Sequence, residues 1–286
     1  MYTFSNRLKI GSIILMAVGL LGIVGGFVMA PSTVEEAKAM VAASDDEGYA
    51  EDIAHVAGTH DEAHDTSHDE HLLHQLQNKP WAALYVAAFF FMMISLGVLA
   101  FYAIQRAAQA GWSPLLFRVM EGITAYLVPG GIVVFVILLL SSLHMNHLFI
   151  WMDADVVAHD EIIQAKSGYL NPTFFLIRAA FFLTGWIAYR EYSRKLSLKQ
   201  DESNDDSNFK MNFRISAGFL VFYLITESIM SWDWIMSVDP HWFSTLFGWY
   251  IFASMFVSGI TVIAMVTIYL KSKGYLQDVN DSHIHD

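Results

Sequence analysis

The segment Val119–Leu143 reads VMEGITAYLVPGGIVVFVILLLSSL, and its only charged residue is Glu121 near the start. A helix that crosses a membrane needs about 20 mostly apolar residues, because its backbone groups must hydrogen-bond within the segment. A run of Leu, Val, Ile and Phe of this length is hard to reconcile with the core of a soluble domain. The segment therefore predicts a transmembrane helix.

Five further stretches of the chain have the same apolar character. They are Ile10–Ala30, Trp81–Ile104, Asn171–Tyr192, Ile215–Met236 and Phe243–Leu270. Hydrophobic residues make up 55% of the 286 residues and charged residues only 15%, against about 25% charged in soluble domains. The sequence thus predicts an all-α integral membrane protein with six transmembrane helices. The first stretch also resembles a secretory signal, but its apolar core exceeds the usual length of about 7–15 residues, which favours an uncleaved helix.

The positions of Lys and Arg predict the orientation of the six helices. With both termini inside, twelve basic residues lie in inside segments and three in outside segments, and Arg178 lies within the membrane. Basic residues concentrate on the inside, so this topology is favoured. The chain then divides into a peripheral N-terminal helix (1–30), an acidic His-rich outside loop (31–80), a four-helix bundle (81–236) and a sixth helix with an inside tail (237–286).

Charge and cysteine content exclude several classes of function. The formal net charge is −12, whereas a nucleic-acid-binding surface is basic. The chain contains no Cys. It therefore cannot form disulfides, attach a c-type haem covalently, or hold an iron–sulfur cluster or a zinc ion through thiolates.

The outside loop is rich in histidine interleaved with Asp and Glu. Spacings of three and four residues would place several of these imidazoles on one helical face, where they could bind Zn²⁺ or Cu²⁺. The weak metal-site candidates are His60, His64, His68 and His71. A solvated acidic loop whose imidazoles titrate near neutral pH explains the pattern better, because no rigid scaffold is evident.

Ionisable residues within the predicted spans are the sharper signal, because such groups in hydrocarbon are usually paired or functional. Counted from Pro172 at 1.5 Å per residue, Arg178 lies about 9 Å below the outer end of the fourth helix. Glu227 and Asp233 lie about 13 Å and about 4–5 Å below the outer end of the fifth, counted from Met236. We therefore expect Arg178 to be neutralised by one or both acids. A packing ion pair and a proton path or quinone-pocket wall remain equal interpretations.

The third helix carries Glu121 at its inner end and a Pro129-Gly130-Gly131 sequence midway. Proline predicts a kink, which serves packing or opens room for a ligand. Glu121 also lies three residues from Arg118, a spacing that suits an ion pair. His144 and His147 at the outer end are expected to share a helical face. A haem held by two imidazoles usually takes one from each of two helices, so this pair argues for a polar rim rather than haem.

The segment Glu227–Tyr250 reads ESIMSWDWIMSVDPHWFSTLFGWY. It resembles the signature region of the F-type subunits of bacterial alternative complex III, which belong to the polysulfide-reductase (NrfD-type) membrane anchors. The stretch HMNHLFIW after the third helix and the tail from Asn280 are similar as well. This resemblance implies ten helices, with a peripheral first helix followed by two four-helix bundles. Helices two to five would form the first bundle and the sixth would open the second, so the chain is expected to be truncated at its C-terminus.

The resemblance also implies a function and partners. It implies a subunit of a quinol:cytochrome c or electron-acceptor oxidoreductase of the bacterial inner membrane, which binds quinol such as menaquinol or translocates protons without redox cofactors of its own. The implied partners are a sister NrfD-type subunit, an iron–sulfur protein, multihaem and monohaem cytochromes c and a terminal oxidase, with haem and clusters held only there. Asp233, Asp239 and His241 are the polar residues that match by position.

Two other classes of function remain open. A secondary transporter or ion channel would also use intramembrane charge and a broken helix, and a purely structural scaffold would use the charges for assembly. The candidates for quinone binding or a proton path are Arg178, Glu227, Asp233, Asp239, His241, His144, His147 and Glu121.

Overall fold

The computed structural model describes residues 5–43, 62–280 and 282–283, with the side chains of 62–71 outside the description. The described residues form helices, turns and irregular segments, and no strand occurs among them. Six helical stretches are long and apolar enough to cross a membrane: Asn6–Val28, Leu72–Ala108, Ser113–Ser142, Pro172–Asp201, Ser207–Val238 and Phe247–Ser272. The described part of the chain is thus all-α with six candidate membrane spans, as the apolar runs predict.

The α-helices are numbered here in chain order. They are α1 (Asn6–Val28), α2 (Val34–Ala43), α3 (Glu62–Ala108), α4 (Phe117–Ile123), α5 (Leu127–Ser142), α6 (Ala154–His159), α7 (Glu161–Lys166), α8 (Pro172–Asp201), α9 (Ser207–Trp234) and α10 (Phe247–Ser272). Short 3₁₀ turns cover Ser113–Leu116, Thr124–Tyr126, Ile150–Met152 and Met236–Val238. The third span is therefore α4, a 3₁₀ turn and α5 in succession. The break lies just before Pro129, the residue type that interrupts helical hydrogen bonding.

The segment expected to be a loop between the first two spans is partly helical. It contains α2, and α3 begins at Glu62 and continues through Pro80, whereas the apolar pattern places the helix start at Trp81. Leu72 and Leu76, one turn apart on α3, form a small buried cluster with Ala37 of α2. This contact gives the polar part of α3 an apolar face to bury, which hydropathy along a single segment does not reveal.

Contacts divide the chain into two units, Met1–Val86 with Met145–Leu148, and Ala87–His144 with Phe149–Asp286. In the first unit, Phe27 of α1 meets Trp81 edge to face with ring centroids 4.9 Å apart. No residue of α1 is buried by the other described residues.

Aromatic side chains form the core of the second unit. Trp186 of α8 and Trp234 of α9 are fully buried, and their ring centroids lie 5.9 Å apart at a steep angle. The Trp186 indole nitrogen donates to the Thr226 hydroxyl at 3.0 Å, which satisfies its polar edge. Further along the same helix pair, Tyr189 and Phe219 stack face to face at 3.8 Å. These contacts hold α8 and α9 together along most of their length.

Close backbone approach joins α3 and α10 in the second unit. A Cβ atom added to Gly97 would lie 2.4 Å from the carbonyl oxygen of Met255, so no larger residue fits at this position without a shift of a helix. A Cβ atom added to Gly259 on α10 would likewise lie 3.0 Å from the backbone nitrogen of Val98. The two helices therefore pack through glycine on both sides.

We expect Gly97→Val to lower the stability of the protein by about 1–3 kcal/mol, the usual cost of overpacking. The expected observation is a lower midpoint of thermal denaturation in detergent. Gly122→Ala is the matched control, because a Cβ atom at Gly122 meets nothing within 4 Å. Equal midpoints for Gly97→Val and the unsubstituted protein would contradict the close approach of α3 and α10.

Candidate functional site

A buried ion pair between Arg178 and Asp233 lies at the end of the second unit that carries residues 149–171 and 235–246, called here the Asp233 end. Asn171 caps α8 by accepting from the Phe174 backbone N–H at 2.9 Å, and Pro172 follows as the first helical residue. Arg178 then lies two turns into α8, and Asp233 lies one residue before the end of α9. The start of α8 and the end of α9 therefore lie close to the two charged groups.

The two side chains meet through two hydrogen bonds. Arg178 donates from Nε to Asp233 Oδ2 at 2.6 Å and from Nη2 to Oδ1 at 3.0 Å. The Tyr169 hydroxyl donates to the same Oδ1 at 2.8 Å, and the Tyr169 carbonyl accepts from Arg178 Nη1 at 3.2 Å. Asp233 is fully buried and Arg178 is 7% exposed. Arg178 therefore pairs with Asp233, and Glu227 takes no part in this ion pair.

Aromatic rings cover the guanidinium of Arg178. Its Cζ atom lies 4.0 Å from the Tyr169 ring centroid and 4.2 Å from that of Phe174. Tyr169 lies outside the membrane-spanning helices, and its pKa is raised mainly by burial and also by the negative charge of Asp233. The hydroxyl therefore stays protonated and acts as a donor to the carboxylate.

The rim of the Asp233 end ties two loops together. His241 Nε2 lies 2.6 Å from Asp160 Oδ2, and Lys166 Nζ donates to the Pro240 carbonyl at 2.5 Å. Asp160 also caps α7, because its Oδ1 accepts from the backbone N–H groups of Ile162 and Ile163 at 2.9 and 3.0 Å. The Ile163 N–H, more than His241, holds the pKa of Asp160 below its ordinary value.

Three of the sequence-predicted residues are exposed or lie away from this ion pair. Asp239 is exposed and accepts from the His241 backbone N–H at 3.2 Å. His144 is exposed and adopts a left-handed φ of 57° directly after α5. The His147 ring stacks on His74 at 4.0 Å within the first unit. The expectation that His144 and His147 share a helical face is wrong, because α5 ends at Ser142.

Glu227 lies near the middle of its span and lacks a strong partner. It is 3% exposed, and Oε1 has no hydrogen-bond partner among the described residues. The Ser228 hydroxyl reaches Oε2 only at 3.4 Å. The hydroxyl of Tyr223, one turn earlier, is also buried without a partner among those residues. A carboxyl group in hydrocarbon without a counter-charge is costly in its ionised form.

A second polar network surrounds Glu121 at the opposite end of the same unit, called here the Glu121 end. The carboxylate accepts from the Tyr102 hydroxyl at 3.1 Å and from Arg118 Nη1 at 2.7 Å. Arg106 donates from Nε to the Tyr102 hydroxyl at 3.1 Å, and Arg190 Nη2 donates to the Glu121 carbonyl at 3.2 Å. The short-range pair with Arg118 is thus one part of a larger network.

The network continues to α9 through neutral groups. The Ser193 hydroxyl donates to Asn212 Oδ1 at 2.7 Å and lies 3.2 Å from the Tyr102 hydroxyl. The hydroxyls of Tyr189 and Ser216 are hydrogen-bonded at 2.7 Å. The buried side of α9 carries a row of polar side chains, called here the α9 polar row. Its members are Asn212, Ser216, Tyr223, Thr226, Glu227, Ser231 and Asp233.

A cavity of about 220 Å³ lies between α3, the 3₁₀ turn at 113–116 and α10, near the Glu121 end. Gln105 and Thr267 line it, with Trp112 and His283. Gln105 Oε1 and Thr267 Oγ1 are buried without a partner among the described residues. Sequence reasoning missed this cavity, because it searched for charge and both residues are neutral. The one available signal, a Gln and a Thr within apolar helices, is common in polytopic proteins.

The weak metal-site candidates lie outside what the structure describes. His60 falls among the residues without a description, and the side chains of His64, His68 and His71 fall in the undescribed part of α3. Within the described residues, no group of three or more His, Asp or Glu side chains could hold a metal ion. The His-rich segment therefore remains a prediction.

Comparison of the chain with known families and with curated proteins finds no match.

We expect Asp233→Asn to destabilise the protein by about 3–5 kcal/mol, because it leaves the charge of Arg178 buried without compensation. Thermal denaturation of the detergent-solubilised protein would measure the loss. Asp201→Asn is the matched control, since its ion pair with Arg118 is made by a carboxylate that is 63% exposed, and exposed pairs contribute little. Similar losses for both variants would contradict a special role for the buried pair.

Acidification should loosen the rim at Asp160. Because its folded pKa is depressed, its contribution to stability is complete above the ordinary value of 3.8 and is lost as pH falls through the lowered value. Hydrogen exchange of peptides covering residues 155–171, corrected for intrinsic rates, should show faster exchange below that range than at neutral pH. Asp160→Asn keeps a capping oxygen but does not titrate, so its exchange should change less. Identical pH profiles would exclude Asp160 as the cause.

Proposed function

We propose that the chain is a membrane subunit of a respiratory quinol:electron-acceptor oxidoreductase of the bacterial inner membrane, and that its own task is to conduct protons. The resemblance of Glu227–Tyr250 to the F-type subunits of alternative complex III supports the assignment of the chain to such a complex. The proposal includes their topology: both termini inside, a peripheral α1 and a bundle of the second to fifth spans. The partners would be a sister anchor, an iron–sulfur protein, cytochromes c and a terminal oxidase.

The observation that carries the proton-conducting role is that the carboxyl of Glu227, near the middle of a span, has no basic partner among the described residues. An acid held there only for packing would be expected to have a basic partner, as Asp233 has in Arg178. Among the described residues, Glu227 Oε1 and the hydroxyl of Tyr223, one turn earlier on α9, have no hydrogen-bond partner. Such a group is suited to taking up a proton and passing it on, because neither protonation state is locked by an ion pair.

The α9 polar row extends from Glu227 toward both ends of the span. At 1.5 Å per residue, Glu227 lies about 9 Å from Asp233 and about 16 Å from Ser216. Between Glu227 and Asp233 the buried side of α9 carries Met230 and Ser231, whose hydroxyl donates to the Ser228 carbonyl, and Phe219 lies between Ser216 and Tyr223. Met230 and Phe219 are thus apolar positions within the row. A proton would therefore need bound water or a side-chain movement at these two positions. Glu227 would be the relay between a path from each end.

The cavity at Gln105 and Thr267 supports binding of a quinol headgroup. A quinol has two hydroxyl donors on an apolar ring, and the cavity offers a carbonyl and a hydroxyl oxygen within apolar and aromatic walls. Oxidation of a quinol releases two protons and two electrons. The protons would enter the chain's polar groups, and the electrons would go to an iron–sulfur or haem centre of a partner, since a chain without Cys holds no thiolate-bound cluster.

Co-purification tests the complex itself. The tagged chain, extracted from its native membrane in mild detergent, should bring down haem absorbance, iron and quinol oxidation activity. A colourless protein without partners would overturn the assignment to a redox complex and favour a transporter or channel.

We expect Glu227→Gln to slow quinol-driven proton movement by about 10²-fold, the lower end of the contribution of a positioned proton-transfer group. The measurement uses the purified complex in liposomes with a pH-sensitive dye, quinol and an electron acceptor. Glu202→Gln is the matched control, because Glu202 is exposed at the end of α8. Unchanged proton movement in an assembled Glu227→Gln complex would leave a scaffold as the function of this chain.

A further inference from the structure

A groove of about 440 Å³ runs between α8 and α9 on the surface of the second unit, separate from the α9 polar row. The small residues Gly185, Ala188 and Gly218 line it together with Tyr192 and Phe222. The Phe222 ring covers Gly185, where an added Cβ atom would lie 2.3 Å from Phe222 Cζ. A Cβ atom at Gly218 would meet nothing within 4 Å, so the space over this residue is open. Ala188, Tyr192 and Gly218 are exposed. The groove is apolar and lies within two candidate membrane spans.

Two basic residues lie at the end of this groove nearest the Glu121 end. On α9, Arg214 precedes Gly218 by four residues, so that it lies on the same helical face. On α8, Lys195 follows Tyr192 by three residues and is likewise on the groove face. The hydrogen bond between Tyr189 and Ser216, with that between Ser193 and Asn212, fixes the register of the two antiparallel helices. In this register Arg214 lies opposite position 191, so Lys195 and Arg214 are one helical turn, about 6 Å, apart along the axis.

Neither cation is neutralised within the described part of the chain. Both side chains are exposed, and no acidic group there lies within ion-pairing distance of either one. The acid nearest in sequence to Lys195 is Glu191, and it forms an ion pair with Arg190 instead. The mouth of the groove thus carries positive charge at the level where the apolar segment of α9 begins, which is where lipid headgroups lie.

We propose that this groove binds one anionic glycerophospholipid, with an acyl chain along Gly218 and the phosphate between Lys195 and Arg214. The apolar length of the groove suits a hydrocarbon chain, and the two cations suit a phosphodiester oxygen. Basic pockets between membrane helices bind anionic headgroups in this way. A transmembrane helix of a partner protein would match the apolar walls but would need acidic residues at this level to pair the two cations. A zwitterionic lipid offers a phosphodiester oxygen, but its ammonium group leaves no net negative charge to match the two cations.

The first test compares lipid preference in nanodiscs of phosphatidylcholine with and without phosphatidylglycerol. The protein, with the subunits it carries, is labelled with bimane at Gly218→Cys, which is the one Cys of this chain, and the unsubstituted complex treated in the same way gives the background from cysteines of the partners. Brominated phosphatidylglycerol should quench the bimane at a much lower mole fraction than brominated phosphatidylcholine. Equal quenching by both lipids would overturn the headgroup preference. Absence of quenching would show that a protein surface covers the groove.

The second test removes the charges. In the labelled protein, Lys195→Gln with Arg214→Gln should reduce the preference for phosphatidylglycerol about fivefold for each cation removed. Lys271→Gln with Lys273→Gln is the matched control, because it removes two charges from the end of α10 and should leave the preference unchanged. Equal effects of the two double variants would reduce the proposal to general attraction by the basic surface and overturn a specific site.

Discussion

Hydrocarbon offers no hydrogen bonds and little screening, so a group that stays charged inside a membrane span must find its partner within the protein. The pair of Arg178 and Asp233 shows how strictly this constraint acts. The carboxylate is fully buried, yet both oxygens accept from the guanidinium and one also accepts from Tyr169. This arrangement requires the start of α8 and the end of α9 to lie side by side. The capped helix start and the loop that carries Tyr169 follow from the same requirement.

The same constraint distinguishes Asp233 from Glu227, which the sequence offers as equal candidates for the partner of Arg178. Asp233 is enclosed by donors, and Glu121 at the opposite end has three arginines around it. Glu227 lies between them on the buried face of α9, and its Oε1 has no hydrogen-bond partner among the described residues. Charged clusters thus lie at the two ends of the second unit, and the carboxyl between them is outside both. The proposed relay needs this separation, because a carboxylate held in an ion pair would not give up its charge readily.

The sequence predicted the six spans because run length and hydropathy are local properties. It also placed Arg178 near two acids, because depth along a helix follows from a constant rise. It could not choose between Asp233 and Glu227, since that choice depends on how α8 and α9 rotate against each other. The helical start of α3 was missed because its apolar face is short and packs on α2. The cavity at Gln105 was missed because unpartnered neutral groups are a property of packing, not of composition.

The stacked rings of Tyr189 and Phe219 have an electrical consequence. They fill the α9 row between Ser216 and Tyr223 with closely stacked rings, which form a dry layer of low dielectric constant. A membrane voltage falls mostly across such dry layers, and moving one elementary charge through 100 mV requires about 2.3 kcal/mol. A proton that passes this stack would therefore cross a large share of the voltage in one step.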